Sequence, residues 1–548
     1  MSWLKRWEPE DPQFWKSEGS GRAWGTLAVT TFGLMASFAT WFVMSAVVVR
    51  LPNIGFTPDK GFGTMQLFWL AAMPGLSGGS MRVVHAFLIP ILGTRTVITI
   101  ATFIKIIPMV WLWAAVQNPE TPFITFLMIS FLCGFGGGDF SSYMPSTSLF
   151  FPKRLQGTAM GLQAGIGNFG VSLVQFVTPW IIGFSLLGAL GGPQLFTKAT
   201  PVFDVKITKD AGVVTDVVVE GKLAEALTVI KNEQGVVQDV IIAETEATKG
   251  MKTEVKKNEA GIVTDLTVKK IIKKNLWVQN AAFWYIPWLI IAGIISWAYL
   301  KSVPMRKVTV GTLVKNMTDN KHGYFCTWTY IMTFGSFAGF SAAFPMMIKA
   351  IYGNIPGMDL ALAPDPLKYA FLGPLIGSSI RFIGGPLSDK WGGAIFTQLS
   401  GVGLIVGCLA LLFGGYLTPT SIDMFPGFVW IMLWIFLMSG IGNFATFRLY
   451  PIVYAYNARM GSGLLGWTAA WAAYGPFIFS SLVGASITKY GSARAFFIGA
   501  TIFYVIGSII NWVYYTKPGA ERGDWGTGKT WWDKISESER QRYISENP

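Results

Sequence analysis

Two arginines interrupt long apolar stretches of this sequence and are the residues with the clearest chemical potential. Arg82 is the only charged residue in 61–94, and Arg381 is the only one in 369–388. A guanidinium group presents a planar fork of N–H donors that matches the oxygens of an oxyanion. Asp139 is the one acidic residue at comparable depth, so at least one arginine lacks a carboxylate partner. The pair therefore predicts an anion site, with structural ion pairing as the alternative.

The elements that must position these arginines are apolar helices. Only 13% of the 548 residues are charged and 52% are hydrophobic, whereas soluble chains have about 25% charged residues. A membrane helix needs roughly 20 apolar residues. Twelve stretches reach that length with at most one charge: 23–49, 61–94, 96–119, 121–152, 155–197, 275–300, 322–348, 369–388, 391–422, 424–458, 460–488 and 495–516. This composition excludes a soluble enzyme, a disordered chain and a disulfide scaffold, and it predicts an all-α protein of the lipid bilayer.

Internal similarity divides the twelve predicted helices into two sets of six. Gly78-Gly-Ser-Met-Arg82 in the second helix corresponds to Gly377-Ser-Ser-Ile-Arg381 in the eighth. Gly134 in the fourth helix and Gly440 in the tenth are each followed by a proline eleven residues later. Parallel repeats of this kind build transporters from two similar halves. We expect two pseudo-symmetric six-helix bundles that bring the two arginines together at the central axis.

Basic residues next to the predicted helices indicate their orientation. Lys153, Arg154, Arg306, Lys307 and Lys390 fall on one side of the membrane, which the positive-inside rule assigns to the cytoplasm. We expect a multi-pass protein of the cytoplasmic membrane with both termini in the cytoplasm, and no role in nucleic-acid binding. The predicted domains are an N-terminal segment (1–22), helices one to five (23–197), an extracytoplasmic insert (198–274), helix six (275–300), a cytoplasmic linker (301–321), helices seven to twelve (322–516) and a cytoplasmic tail (517–548).

The insert 198–274 differs from the rest of the chain in composition and contains a repeat. It has 12 of the 30 acidic residues and 13 lysines. The pattern Asp210-Ala-Gly-Val-Val-Thr-Asp216 recurs from Glu233 to Asp239 and from Glu259 to Asp265. Turn-forming residues followed by valine-rich runs are typical of β-hairpins. The sequence predicts three β-hairpin units in a small soluble domain, with an inert loop insertion as the alternative.

The C-terminal tail contains a match to the P-loop pattern. The segment Gly523-Asp-Trp-Gly-Thr-Gly-Lys-Thr530 has the required spacing. A working P-loop joins a strand to a helix inside a nucleotide-binding domain, and the tail is too short to form one. We therefore expect no nucleotide, no metal ion and no other cofactor.

Small residues form a stripe on the fifth predicted helix. Gly157, Gly161 and Gly165 recur at every fourth position, and Asn168 continues the same helix face. Glycines at this spacing permit close helix contacts. A carboxamide in the middle of a membrane helix is also able to donate a hydrogen bond to an anion. The stripe predicts a helix contact, and Asn168 is a candidate ligand.

The segment Gly161-Leu-Gln-Ala-Gly165-Ile-Gly-Asn168-Phe-Gly170 resembles the signature of the nitrate/nitrite porter family of the major facilitator superfamily. Cys133-Gly-Phe-Gly136 and Phe334-Gly-Ser-Phe-Ala-Gly-Phe-Ser341 are also similar to that family, and Gly442-Asn443-Phe-Ala-Thr446 resembles its second signature. The resemblance implies that Arg82 and Arg381 hold nitrate between the rings of Phe140 and Phe334. It further implies polar contacts from Asn168 and Tyr330, and helix-contact or gating roles for Gly161, Gly165 and Asn443.

Three positions depart from the family pattern. Asp139 lies where asparagine is expected, His85 lies where tyrosine is common, and Phe444 replaces a glycine after Asn443. Asp139 and His85 are therefore candidates for coupling, with Asp139 expected as a counter-charge of the arginines. The segment Gly385-Pro-Leu-Ser-Asp389-Lys-Trp-Gly-Gly393 resembles the gating motif of the superfamily, in which Asp389 contacts a neighbouring helix end.

These observations predict a monomeric secondary transporter that exchanges nitrate and nitrite by alternating access. Two facing arginines are unfavourable in an empty closed site, which favours exchange of one anion for another. Nitrate–proton symport through Asp139 or His85 is the first alternative. A passive anion channel and a sensor that uses the insert as its receptor are the other two.

Overall fold

The computed structural model describes residues 3–185, 191–201, 205–219, 225–245, 248–259, 261–303, 311, 314, 318, 320–353, 355 and 362–546. Most of the predicted linker 301–321 lies outside these residues. Long helices make up most of the described chain. They are α1 (Pro12–Val47), α2 (Thr64–Leu92), α3 (Thr94–Ile104, continuing as Ile106–Ala115), α4 (Phe123–Phe150), α5 (Lys153–Ile181), α6 (Asn280–Tyr299), α7 (Lys321–Tyr352), α8 (Leu372–Trp391), α9 (Gly393–Phe413), α10 (Phe425–Val453), α11 (Ala458–Ala472, continuing as Gly475–Tyr490) and α12 (Arg494–Thr516).

Length and composition identify this chain as a multi-pass membrane protein. Within the described ranges, nine helical stretches are long and apolar enough to cross a membrane. Two short helices, α13 (Trp531–Lys534) and α14 (Glu537–Glu546), follow in the tail. Between α5 and α6 lie the strands β1 (Gln194–Pro201), β2 (Val205–Asp210), β3 (Val213–Val219), β4 (Leu227–Lys231), β5 (Val237–Ile242), β6 (Met251–Lys257) and β7 (Val263–Leu276).

The first helix begins inside the segment 1–22. The Asp11 carboxylate accepts a hydrogen bond from the Gln13 backbone N–H at 2.9 Å, and Pro12 occupies the first helical position. Both features favour a helix start. Trp15 and Ala23 are buried against the end of α4 around Phe150. The uncharged stretch from residue 23 predicts where the apolar part of the helix begins, whereas the capping residues Asp11 and Pro12 determine where the helix itself begins.

Glycines bring α1 and α5 into close contact, although not at the position that the sequence indicated. A Cβ atom at Gly170 would meet the Met35 carbonyl oxygen, and the Ala39 backbone nitrogen at 2.9 Å. Gly165 is buried, but Gly161 is exposed and a Cβ there would meet nothing within 4 Å. The prediction of a helix contact at Gly161 was therefore wrong, because the contact face of α5 passes through Gly170.

Gly170→Ala is expected to lower the thermal stability of the purified protein, because α1 must move away from α5 to admit the methyl group. Overpacking of this kind typically costs about 1–3 kcal/mol. Gly161→Ala is the matched control on the same helix and should leave the unfolding temperature unchanged or slightly higher. Thermal unfolding in detergent measures both. Equal unfolding temperatures for the two variants would show that this interface is not tightly packed.

The β-strands begin before and end after the predicted insert. The strand β1 pairs along its whole length with the end of β7, from Gln194 opposite Leu276 to Pro201 opposite Lys269. The predicted boundaries 198–274 are thus too narrow, and α5 ends at Ile181 rather than at 197. The residues between these points are uncharged, so composition alone extends the helix into the strand. The paired β1 and β7 form the ribbon through which the chain enters and leaves the β region.

The remaining strands repeat one arrangement three times. β2 pairs with β3, β4 with β5, and β6 with β7, each antiparallel and each with a register shift near its turn. Valines and a leucine at equivalent repeat positions form a shared core: Val214, Val217, Val237, Val240, Val263 and Leu266. The period-2 alternation of apolar residues explains why one face of each hairpin is buried.

Ion pairs connect the three hairpins in a ring. Asp216 of the first binds Lys231 of the second at 2.7 Å. Asp239 of the second approaches Lys257 of the third at 3.9 Å. Asp265 of the third binds Lys209 of the first at 2.9 Å. The hydrogen bonds from Lys231 and Lys209 hold the pKa values of Asp216 and Asp265 below their usual range. The sequence repeat therefore corresponds to a cyclic arrangement of the hairpins.

One end of the helix bundle, here called the insert face, is closed by contacts between α1 and the α7–α8 region. Arg50 binds the Asp365 carboxylate at 2.8 Å, and the Lys349 Nζ donates to the Val49 carbonyl oxygen at 2.5 Å. The Phe196 ring of β1 covers Arg50, with the guanidinium carbon 5.8 Å from the ring centroid. The β region thus contacts the ion pair that joins these helices.

The opposite end, here called the tail face, carries the tail against α8, α9 and α10. Asp524 is fully buried and accepts a hydrogen bond from the Gly393 backbone N–H at 2.7 Å. The Thr527 hydroxyl donates to the Asp389 carbonyl oxygen at 2.7 Å. The Arg522 guanidinium lies over the Trp531 ring at 4.2 Å. The P-loop-like segment is therefore in packing contact with the helix ends.

Candidate anion-binding site

Arg82 lies in α2 with only 1% of its surface exposed. Its Nε donates to the Gly137 carbonyl oxygen at 2.9 Å, and its Nη1 donates to the Ala469 carbonyl oxygen at 2.5 Å. The Nη2 atom is buried and has no hydrogen-bond partner among the residues that the structure describes. Two nitrogens therefore fix the guanidinium plane between α4 and α11, and the third remains for a ligand.

Arg381 lies in α8 with 6% of its surface exposed. Its Nε and Nη2 atoms are buried, and within the described chain neither has a hydrogen-bond partner. The guanidinium carbon lies 4.5 Å from the centroid of the Phe337 ring and 5.7 Å from that of Phe334. Buried donors without acceptors are costly. Arg381 has two such nitrogens and Arg82 has one, so Arg381 has more donors available for a ligand.

The Phe334 ring lies against both arginines. Its ring centroid is 5.1 Å from the guanidinium carbon of Arg82, while Arg381 approaches the same ring. The Phe140 ring is 4.8 Å from Arg82 and stacks with Phe334 at a centroid distance of 6.4 Å and an interplanar angle of 27°. A planar guest between two rings needs about 7 Å, twice the contact distance of roughly 3.5 Å. A small opening of the rings would therefore admit one.

A local change of helix type positions this aromatic group. Residues Ile331–Gly335 form a π-helical segment inside α7, and such segments are frequent at functional sites. Tyr330 stacks on Phe334 at a centroid distance of 5.6 Å and an interplanar angle of 16°. The structure thus brings Arg82, Arg381, Phe140 and Tyr330 together around Phe334.

The two predicted asparagines are buried but are not hydrogen-bonded to either arginine. The Asn168 Nδ2 donates to the Ala164 carbonyl oxygen of its own helix at 2.5 Å, and its Oδ1 has no partner in the described part of the chain. Neither amide atom of Asn443 has a partner among these residues. Both carboxamides therefore keep free polar atoms in the interior of the bundle.

Asp139 is paired with a lysine and not with an arginine. Lys105 of α3 donates to Asp139 Oδ2, and the Ser37 hydroxyl donates to the same oxygen at 2.6 Å. The expected role of Asp139 as counter-charge of the arginines was therefore wrong. The lysine is nearer because the interruption of α3 at Lys105 faces the interruption of α4 at Asp139. Both arginines remain without a carboxylate among the described residues.

His85 lies beside this ion pair. Its Nδ1 is 3.2 Å from the Ser142 hydroxyl and 3.5 Å from Asp139 Oδ1. The side chain is nearly buried. His85, one helical turn after Arg82 on α2, and Asp139 are thus neighbours. Lys105 is a third ionisable group beside Asp139 that was not predicted from the sequence. A lone lysine and a lone aspartate in consecutive apolar stretches were the available signal, but this signal does not decide between Lys105 and Arg82 as the partner of Asp139.

The gating segment forms a second charged group at the tail face. The Asp389 carboxylate binds Arg448 Nη1 at 3.0 Å, and Arg448 Nε lies 3.4 Å from Asp524. Asp389 therefore contacts the end of the neighbouring α10, as expected. Asp524 was missed, because it belongs to a tail segment that the sequence analysis examined only as a nucleotide motif.

Solved structures with a similar fold are transporters. The chain superposes on the major facilitator superfamily proton:xylose symporter XylE with a TM-score of 0.55 and 13% identity, covering 90% of this chain and 96% of that chain. The human organic anion transporter MFSD10 gives a TM-score of 0.52 and 10% identity, covering 89% and 98%. The fold is that of a major facilitator superfamily transporter.

Sequence relatives identify the family. The chain is 45% identical over 522 residues to the "Probable nitrate/nitrite antiporter NarK2" of Thermus thermophilus, covering 95% of this chain and 98% of the relative. It is 30% identical to the nitrate/nitrite transporter NarU of Escherichia coli K12, covering 94% and 96%. A scan of protein-family models finds no match. The chain belongs to the nitrate/nitrite porter family.

Proposed function

We propose that this protein exchanges nitrate and nitrite across the cytoplasmic membrane by alternating access. The observation that carries the proposal is the pair of buried arginines that both approach the Phe334 ring, with three guanidinium nitrogens unpartnered in the described structure. The names of the relatives, a nitrate/nitrite antiporter and a nitrate/nitrite transporter, support the choice of substrate. In this proposal the arginines bind the oxygens of the anion, and Phe140 and Phe334 enclose its plane.

The charge of the site favours exchange over transport in one direction. Because Lys105 pairs with Asp139, the two arginines give the empty site a charge of about +2. Buried like charges in a medium of low dielectric constant repel strongly. A bound monoanion lowers this repulsion, so the loaded protein changes conformation more readily than the empty one. Each return step then requires an anion from the other side.

We propose that twelve helices span the membrane in two six-helix halves. The nine apolar stretches are joined in this arrangement by α2, α5 and α8, which have 29, 29 and 20 residues. The tail face is assigned to the cytoplasm together with both termini, because its flanking residues are basic. The β region is then a separate three-hairpin domain outside the cytoplasm, and the protein acts as a monomer.

Proton-coupled nitrate uptake is the second candidate function. The contact between His85 Nδ1 and Asp139 Oδ1 at 3.5 Å favours it, since two ionisable side chains at this distance are able to share a proton. The Lys105–Asp139 pair opposes it, because the carboxylate already has a cationic partner and a hydrogen bond from Ser37.

Counterflow in proteoliposomes distinguishes the two functions. Vesicles loaded with nitrite should take up external labelled nitrate many times faster than vesicles loaded with chloride. The rate should change little when a pH gradient is imposed. Uptake that is independent of internal nitrite and driven by an inward proton gradient would contradict exchange and support symport. Protein-free vesicles are the control for leak.

A further inference from the structure

Lys105 is a buried cation in the centre of α3 that has no place in the anion site described above. Its side chain is 1% exposed. The Nζ donates to the Ala101 carbonyl oxygen at 2.9 Å and to the Asp139 carboxylate. The helix is interrupted at this residue, between Ile104 and Ile106. A charge at such depth is retained in membrane helices chiefly for function.

The partner of Lys105 belongs to the segment that builds one wall of the anion site. Gly137 offers its carbonyl oxygen to Arg82 Nε, and Phe140 covers the Arg82 guanidinium. Asp139 lies between these two residues, where the regular helix of α4 is interrupted just before Phe140. Gly137 and Phe140 both contact Arg82, whereas the Asp139 carboxylate between them points towards Lys105 of α3.

Without Lys105, the same carboxylate would be an uncompensated anion next to the site. Its Oδ1 is buried and has no hydrogen-bond partner among the described residues, while Oδ2 is bound by Ser37 and Lys105. Opposite charges attract strongly in such surroundings. The carboxylate would either draw Arg82 away from the ligand or lower the net charge of the site. In both cases Asp139 competes with the transported anion.

We propose that Lys105 is a positioning residue for substrate binding, which neutralises Asp139 and so leaves Arg82 and Arg381 free for the anion. This inference rests on the proposed function, because it concerns the same site. It assigns the ion pair Lys105–Asp139 a role in setting the affinity for anions. The lysine acts through Asp139 and does not contact the substrate itself.

Equilibrium binding of nitrate to the purified protein tests this role in four forms: wild type, Lys105→Met, Asp139→Asn and the double variant. Lys105→Met should weaken nitrate binding at least tenfold, because the uncompensated carboxylate remains. The double variant removes both charges and should bind nitrate within about threefold of the wild type. Rescue by the second substitution is a result that loss of packing at position 105 cannot produce.

The double variant also protects the test against misfolding, because it removes both members of the ion pair and leaves neither of them as an unpaired charge. Thermal unfolding of all four forms identifies any that is unfolded. Unchanged affinity in a folded Lys105→Met variant, or equally weak binding by the double variant, would overturn the role of Lys105 while nitrate exchange by the wild type stands. A wild-type protein that binds no nitrate would overturn the proposed function, and this inference with it.

Discussion

Replacing Arg82 or Arg381 by lysine is expected to reduce nitrate exchange at least about a hundredfold in a protein that remains folded. Arg82 uses two nitrogens for the Gly137 and Ala469 carbonyl oxygens and keeps a third for a ligand. A lysine carries its donors on one flexible nitrogen and cannot reproduce this planar fork while it also binds an anion. A hundredfold loss corresponds to about 2.7 kcal/mol of binding or transition-state energy, the range of one or two charge-assisted hydrogen bonds.

The initial rate of labelled nitrate uptake into nitrite-loaded proteoliposomes measures this effect. Arg494→Lys is the control, since Arg494 is exposed at the start of α12 and lies outside the site. It should retain nearly full activity. Substantial exchange by both Arg82→Lys and Arg381→Lys would rule out a site that depends on two guanidinium groups.

Removing the Asp524 side chain is expected to produce the second large effect, at the tail face. Asp524 accepts a hydrogen bond from the Gly393 N–H at the start of α9 and lies 3.4 Å from Arg448. Asp524→Ala deletes a helix cap, worth about 1 kcal/mol, and leaves Arg448 with only the exposed Asp389 carboxylate. Loss of a buried charge partner costs about 3–5 kcal/mol, which partial exposure of Arg448 reduces. We expect destabilisation by roughly 3 kcal/mol.

The transport phenotype of Asp524→Ala should differ from that of the arginine variants. The turnover should fall severalfold because the helix ends at the tail face lose a shared anchor, while the affinity for nitrate should stay unchanged. Asp389→Asn provides the comparison, because the Asp389 side chain is 67% exposed and exposed ion pairs contribute little. An equal effect of both substitutions on thermal unfolding would show that the buried cap is not the more important contact.

The sequence predicted that Arg82 and Arg381 lie close together because isolated charges are rare in apolar helices. Arg82 and Arg381 are isolated charges at equivalent positions of a repeat, and the structure places both against Phe334. The pairing of Asp139 was not predictable in the same way. Arg82 and Lys105 were both available as partners, and the choice depends on where α3 and α4 are interrupted. Such interruptions arise from packing and leave no periodic signal.

The rotation of a helix about its own axis was the second feature that could not be predicted from the sequence. The spacing of Gly157, Gly161 and Gly165 indicates a stripe of small residues, but it does not say which neighbour the stripe faces. In the structure the close contact with α1 lies at Gly170, and Gly161 is exposed. Composition identified the helices and the β region, whereas their exact ends depended on caps and on strand pairing.

The cyclic arrangement of the three hairpins has a practical consequence for imaging. Helical transporters of this size are difficult to align in electron micrographs, because detergent hides most of the protein and the bundle is nearly two-fold symmetric. Here the chain enters and leaves the β region through the paired ribbon of β1 and β7, with Gln194 opposite Leu276. The hairpins beyond it have their own apolar core and a closed ring of aspartate–lysine contacts. The β region is therefore an alignment marker at the insert face, which distinguishes the two ends of every particle without a bound antibody fragment.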